Sequence, residues 1–102
     1  IEIVRSHPYS FGDDAPDILV VSPPHAVPTA NDTGMGFLQG VVEQSQMLST
    51  YYSEIADDLG CGFYDAASVA RASPIDGVHL DAENTRAIGR GLEPMVRMML
   101  GL

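Results

Sequence analysis

The feature that most constrains the fold is a short apolar run, Ile18-Leu19-Val20-Val21, which is continuous rather than alternating. A strand with this pattern needs cover on both faces, which is typical of a central strand in a parallel sheet. The run stops at Ser22-Pro23-Pro24, because proline has no amide hydrogen to donate to a sheet ladder. The sequence therefore predicts an α/β domain with helices on both faces of its sheet.

The remaining elements are predicted from periodicity and from turn residues. In chain order they are a helix tail over residues 1–7, a long loop to about residue 40, a helix over Val41–Leu59, a strand over Gly62–Asp65, a loop over 69–78 and a last helix after Asp81. Two strands alone leave both sheet edges open. We therefore expect further strands from an N-terminal segment of the same gene or from an intimate oligomer.

Both long helices carry an apolar face with a period near 3.6 residues. The first face comprises Val41, Leu48, Tyr51, Tyr52, Ile55 and Leu59, and the last comprises Ile88, Leu92, Met95, Val96 and Met99. Gly60 is placed to end the first helix. Asp81 is placed to cap the amides of Glu83 or Asn84, and Pro94 predicts a kink or a division near Glu93.

Charge and cysteine content exclude several classes of function. The 102 residues include 14 acidic and 5 basic side chains, for a net charge of −9. This argues against nucleic acid as a partner, since phosphate binding needs clustered Lys and Arg, and against an anionic membrane surface. One cysteine allows no intrachain disulfide, and no apolar run or signal pattern targets a membrane. We expect a cytoplasmic protein.

No metal or cofactor is predicted. The three histidines are scattered without metal-ligand spacing, and Cys61 has no ligating neighbour. A nucleotide-binding domain is discounted, because no glycine-rich phosphate loop follows a strand.

One constellation fits a reaction: Asp76-Gly77-Val78-His79. An imidazole works as a general base near neutral pH, and a carboxylate on its ring fixes the tautomer and stabilises the imidazolium. Asp three residues before His, with Gly between, allows a tight turn to bring the two together. The alternative is that Asp76 ends a loop and His79 is a solvated residue before a helix cap.

The stretch DGVHLDAENTRAIGRGL resembles the last conserved block of the SGNH (GDSL-type) hydrolases. The strands ILVVSPP and GFYDAASV, in the same order and spacing, resemble the arylesterase and acyltransferase branch, and the resemblance covers about residues 16–100. It implies a three-layer α/β/α, flavodoxin-like parallel sheet. Residues 1–102 would then be the C-terminal portion of one such domain.

The resemblance implies that Asp76 and His79 complete a Ser-His-Asp triad, His79 as general base and then acid, Asp76 as the group that orients it. The family's G-D-S block, its oxyanion glycine and its G-x-N-D block are all absent from this chain. Asn31-Asp32 keeps an N-D pair on the wrong side of the strand, which we interpret as turn chemistry. No serine here has a nucleophile context, so the chain by itself is expected to be inactive.

The same resemblance implies walls for a substrate pocket. Val78 would border the acyl group, and Pro23 and Pro24 with the loop behind them would line the alcohol side. Phe37 and Leu38 are apolar candidates in that loop. The alternative for these two is that they begin the buried face of the following helix.

Two hypotheses of different classes follow. The first is a serine ester hydrolase that cleaves aryl or acetyl esters through an acyl-enzyme, with an N-terminal fragment of the same protein as partner, a small acyl ester as substrate and homo-oligomeric assembly. The alternative is a non-catalytic, truncated α/β interaction module. The intact Asp–His pair favours the enzyme.

Overall fold

A computed structural model describes residues 1–29 and 39–102. In chain order the elements are helix α1 (Glu2–Ser6), strand β1 (Leu19–Ser22), helix α2 (Gln39–Asp58), strand β2 (Gly62–Asp65), a 3₁₀ helix (Ala66–Ser68) and helix α3 (Ala82–Met99). The predicted order of helices and strands is confirmed.

The two strands form a parallel pair, as the apolar run predicts. Leu19 lies opposite Gly62, and Ser22 lies opposite Asp65. At the carboxyl ends the buried Ser22 Oγ donates to Asp65 Oδ1 at 3.0 Å, and the same oxygen accepts the Ala67 amide at 3.0 Å. This shared acceptor fixes the points at which both segments leave the sheet.

Helix α2 contacts both strands through small side chains. Ala56 is fully buried and Ser45 is buried one face-width away, whereas Val41, Tyr51 and Ile55 are each more than 40% exposed. The predicted buried face is therefore wrong at these three positions. Small residues win this face because they let the helix approach the sheet closely.

The end of α2 follows the prediction. Gly60 has a φ of +66°, in the left-handed region that favours glycine. Its amide donates to the Asp57 carbonyl at 3.2 Å, and the Cys61 amide donates to the Ala56 carbonyl at 2.8 Å. These bonds satisfy carbonyls that the helix end would otherwise leave unpaired.

Helix α3 begins at the predicted cap, where Asp81 Oδ1 accepts the Asn84 amide at 2.8 Å. The expected division near Glu93 is wrong: one helix continues through Pro94 to Met99. Proline removes only its own amide bond, and the turns on either side keep theirs.

The buried apolar residues in the described part of the chain are five alanines. They are Ala26, Ala56, Ala66, Ala70 and Ala72. Four of the five lie in segments that follow a strand, at the carboxyl end of the sheet, so this end is the best packed. No helix among residues 1–29 and 39–102 is long and apolar enough to cross a membrane.

Candidate active site

The Asp76 carboxylate and the His79 ring meet directly. Asp76 Oδ2 pairs with His79 Nδ1 in a short hydrogen bond. The other oxygen, Oδ1, accepts the backbone amides of Val78 at 3.0 Å and His79 at 2.9 Å. One oxygen therefore shapes the turn while the other holds the ring.

Gly77 is the residue that lets this turn close. It is buried, and its φ of +80° is a conformation that side chains with a Cβ rarely adopt. Its amide donates to the Ser73 carbonyl at 2.8 Å, and the Ser73 amide donates to the His79 carbonyl at 2.7 Å. We call residues 73–79 the Asp–His loop.

The Asp–His loop is tied to the loop that follows β1. The Val27 amide donates to the Gly77 carbonyl at 2.9 Å. Next to Val27, the Ala26 amide donates to the buried Ser45 Oγ on α2 at 2.9 Å. The segment after β1 thus links α2 to the Asp–His loop.

A second link joins the loop to the start of α3. Asn84 Oδ1 accepts the Arg71 amide at 2.8 Å, two residues before the loop begins. Asn84 Nδ2 donates to Asp81 Oδ1 at 2.9 Å, two residues after the loop ends. One side chain therefore spans both ends of the loop.

The electrostatics of the loop favour an ionised Asp76. The backbone amides of His79 and Val78, followed by the His79 ring, lower the pKa of Asp76 from 3.8 to about 2. The pKa of Asp81 is also lowered, chiefly by the Asn84 amide and then by the Asn84 side chain. The His79 side chain is 83% exposed and that of Asp76 is 43% exposed, so the pair faces outward from this chain.

Solved structures with the same architecture are esterases. A carbohydrate acetylesterase family member from Sinorhizobium meliloti is 58% identical, with a TM-score of 0.90 over 99% of this chain and 48% of its own. The chain belongs to the SGNH-type hydrolase family. No family model and no curated protein sequence matches it.

Other SGNH-type structures agree. A proposed arylesterase from Agrobacterium tumefaciens is 43% identical with a TM-score of 0.86, over 96% of this chain and 46% of its own. The native aryl esterase of M. smegmatis is 30% identical with a TM-score of 0.82, over the same shares. The chain therefore spans about half the length of each of these SGNH-type structures, and the resemblance implies the C-terminal half.

The predicted wall residues of this SGNH-type domain are only partly placed. Val78 is half exposed beside the Asp–His pair, Pro23 is exposed, and Pro24 is half-buried after β1. Phe37 and Leu38 lie outside the described residues, as does Asn31-Asp32. The pocket roles of these residues stay predictions.

The serines of the described segments are engaged elsewhere. Ser22 is fully buried against Asp65, and Ser45 donates to the Val42 carbonyl at 2.7 Å. Within residues 1–29 and 39–102, Asp76 is the one side chain that hydrogen-bonds the His79 ring. In the same residues no group of three His, Cys, Asp or Glu side chains is placed to hold a metal ion.

Sequence reasoning missed the residues that support the pair. Ser73, Asn84 and the Val27 amide hold the Asp–His loop, and none was singled out for this. Ser73 and Asn84 are small polar residues just outside the D-G-x-H motif, which was the available signal. Val27 acts through its backbone, and a backbone donor has no residue-type signal.

Proposed function

We propose that this chain supplies the histidine and aspartate of a Ser-His-Asp triad in a serine ester hydrolase. The observation that carries the proposal is the bond between Asp76 Oδ2 and His79 Nδ1, on a carboxylate whose other oxygen is held by two backbone amides. That arrangement orients an imidazole and stabilises its protonated form, which a triad requires.

The reaction follows from the two ring nitrogens of His79. With Nδ1 on Asp76, Nε2 takes the proton of a serine hydroxyl as its oxygen attacks the acyl carbonyl. Nε2 then gives that proton to the departing alcohol, which leaves an acyl-enzyme. A water molecule repeats the sequence, with Nε2 as base and then as acid, and releases the carboxylic acid and the free serine.

The nucleophile is assigned to the other half of the domain. The chain carries no G-D-S block, and it matches about half of each SGNH-type structure. We assign the serine and the oxyanion donors to an N-terminal segment of the same protein, seated at the carboxyl end of the sheet beside the Asp–His loop. Ligands of open α/β sheets bind at this end.

The substrate class is proposed from the names of the similar structures. The Sinorhizobium meliloti structure is a carbohydrate acetylesterase family member, and the M. smegmatis structure is an aryl esterase. Acetyl esters of carbohydrates are therefore the first substrates to test, with small aryl esters second.

The test is active-site labelling of the full-length protein with a fluorophosphonate, followed by peptide mass spectrometry. We expect the label on a serine outside these 102 residues. His79→Ala should abolish labelling and lower hydrolysis of p-nitrophenyl acetate about 10³-fold or more, since removing a triad member leaves only residual catalysis.

His25→Ala and His7→Ala are the matched controls, because neither histidine lies in the Asp–His loop. Both should keep the parent rate. A label on a serine within these 102 residues, or full activity of His79→Ala, would contradict the proposal. An unlabelled protein without esterase activity would favour the non-catalytic module.

A further inference from the structure

We infer that Asn84 is a positioning residue for the triad, acting through the Asp–His loop without touching Asp76 or His79. The inference rests on the proposed function and deepens it. It assigns a role in the reaction to the first turn of α3, outside the D-G-x-H motif.

Asn84 joins the two ends of the segment that carries the pair. Its Oδ1 accepts the Arg71 amide at 2.8 Å, and its Nδ2 donates to Asp81 Oδ1 at 2.9 Å. Its own amide donates to the same Asp81 oxygen at 2.8 Å. Arg71 and Asp81 flank the Asp–His loop on either side, so one amide side chain sets the separation of its ends.

The bonds inside the loop do not replace this link. Ser73, Gly77 and His79 form a small hydrogen-bonded unit that is rigid within itself. That unit is held to the rest of the chain by the Val27 amide on one side. Asn84 supplies the second attachment, and two attachments are needed to stop a rigid loop from pivoting.

Pivoting matters because His79 is 83% exposed and gains little from packing. Its orientation depends on Asp76, and Asp76 moves with the loop. A displacement of about 1 Å between a base and a nucleophile on another segment costs on the order of 10²-fold in rate.

Asn84→Ala in the full-length protein removes both arms of the link. We expect kcat for p-nitrophenyl acetate to fall between about 10-fold and 100-fold, with KM within about twofold of the parent, because the Asn84 side chain does not contact substrate. We also expect the downfield proton resonance of His79 Nδ1–H, assigned by its loss in His79→Ala, to broaden or disappear.

Asn84→Asp keeps the oxygen that accepts the Arg71 amide and should lose less kcat than Asn84→Ala. This variant also serves if the alanine protein folds poorly, because an acidic residue suits the first turn of a helix. Thr85→Val is the matched control. It removes the bond from Thr85 Oγ1 to the Asp81 carbonyl, 2.9 Å long, in the same turn, and should leave kcat unchanged.

Three outcomes would overturn the inference: an unchanged kcat in Asn84→Ala, an equal loss in Asn84→Asp, or an equal loss in Thr85→Val. Failure of the proposed function is separate, because it appears as full activity in His79→Ala. In that case the Nδ1–H resonance still reports whether Asn84 holds the pair.

Discussion

The two carboxylate oxygens of Asp76 act on different partners, and this separates structure from chemistry at a single residue. Oδ1 accepts the amides of Val78 and His79, which form the turn, and Oδ2 pairs with the His79 ring. A substitution that keeps one oxygen and changes the other therefore tests catalysis without removing the turn.

We predict that Asp76→Asn folds like the parent but loses activity. Asparagine keeps an oxygen for the two amides, whereas its Nδ2 donates to His79 Nδ1 and leaves the hydrogen on Nε2, where the base must be free. By analogy with other triads, kcat should fall about 10³- to 10⁴-fold. Thermal unfolding should move little, and Asp76→Ala, which removes both oxygens, should also lower the melting temperature.

The lowered pKa of Asp76 predicts a pH dependence of stability. Its folded-state pKa of about 2 lies below its ordinary value of 3.8, so its contribution is complete above pH 3.8 and is lost as the pH falls toward 2. The difference in unfolding free energy between the parent and Asp76→Asn should be constant from pH 7 to about pH 5 and should shrink below about pH 4. Urea unfolding across this range measures it, and a difference that grows on acidification would contradict the sign.

At the scale of elements, the decisive contact is between α3 and β2. A Cβ on Gly91 would lie 1.9 Å from Tyr64 Oη and 2.8 Å from its Cζ, whereas a Cβ on Gly89 would meet nothing within 4 Å. Near the other end of α3, Met99 Sδ lies 3.1 Å from the Cβ position of Gly62. The helix thus sits on the face formed by Leu19, Val21, Gly62 and Tyr64, through a missing side chain.

Two glycine substitutions in the same helix are predicted to act in opposite directions. Gly91→Ala should destabilise the protein by about 1–3 kcal/mol, because the Tyr64 ring must move. Gly89→Ala should stabilise it by about 0.5–1 kcal/mol, since alanine is the better helix former. Chemical denaturation of both variants measures the pair of effects.

Tyr64→Phe added to Gly91→Ala is the control for the mechanism. Removing the hydroxyl should recover part of the loss, and the ring carbon 2.8 Å away should retain the rest. Equal effects of Gly91→Ala and Gly89→Ala would show that helix propensity alone governs these positions.

At the scale of the whole molecule, the chain exposes more surface than a complete domain of its mass. Its accessible area is 7359 Å², compared with about 5,600 Å² expected for 10.9 kDa. Its radius of gyration is 16.6 Å, compared with about 13 Å. The large apolar side chains that stay exposed include Ile3, Phe11, Ile75, Met98 and Leu102. A core of alanines buries little apolar area, so further contacts are expected to stabilise this fold.

We predict that residues 1–102 expressed alone bind a hydrophobic dye and unfold without a sharp transition. Co-expression with the proposed N-terminal segment should abolish dye binding and give cooperative unfolding. Dye fluorescence, calorimetry and small-angle scattering on both samples measure this. Sharp two-state unfolding of the isolated chain, without dye binding, would contradict it.

The sequence by itself determined the elements and the catalytic candidates. The apolar run before Pro23 predicted a parallel strand, Asp81 and Gly60 marked helix ends, and the D-G-x-H spacing predicted the contact between Asp76 and His79. All of these are local signals, set by the pleat, by helix-end hydrogen bonds or by a three-residue turn, so a linear pattern carries them.

Only the tertiary structure decided which faces are covered and what holds the loop. Ala56 rather than Ile55 is buried on α2, Gly91 rather than Gly89 meets Tyr64, and Asn84 joins Arg71 to Asp81. Each depends on the distance between segments that are far apart in sequence. Periodicity gives the angle of a residue around a helix, but the closeness of approach is set by packing, and backbone donors such as Val27 leave no mark in the sequence.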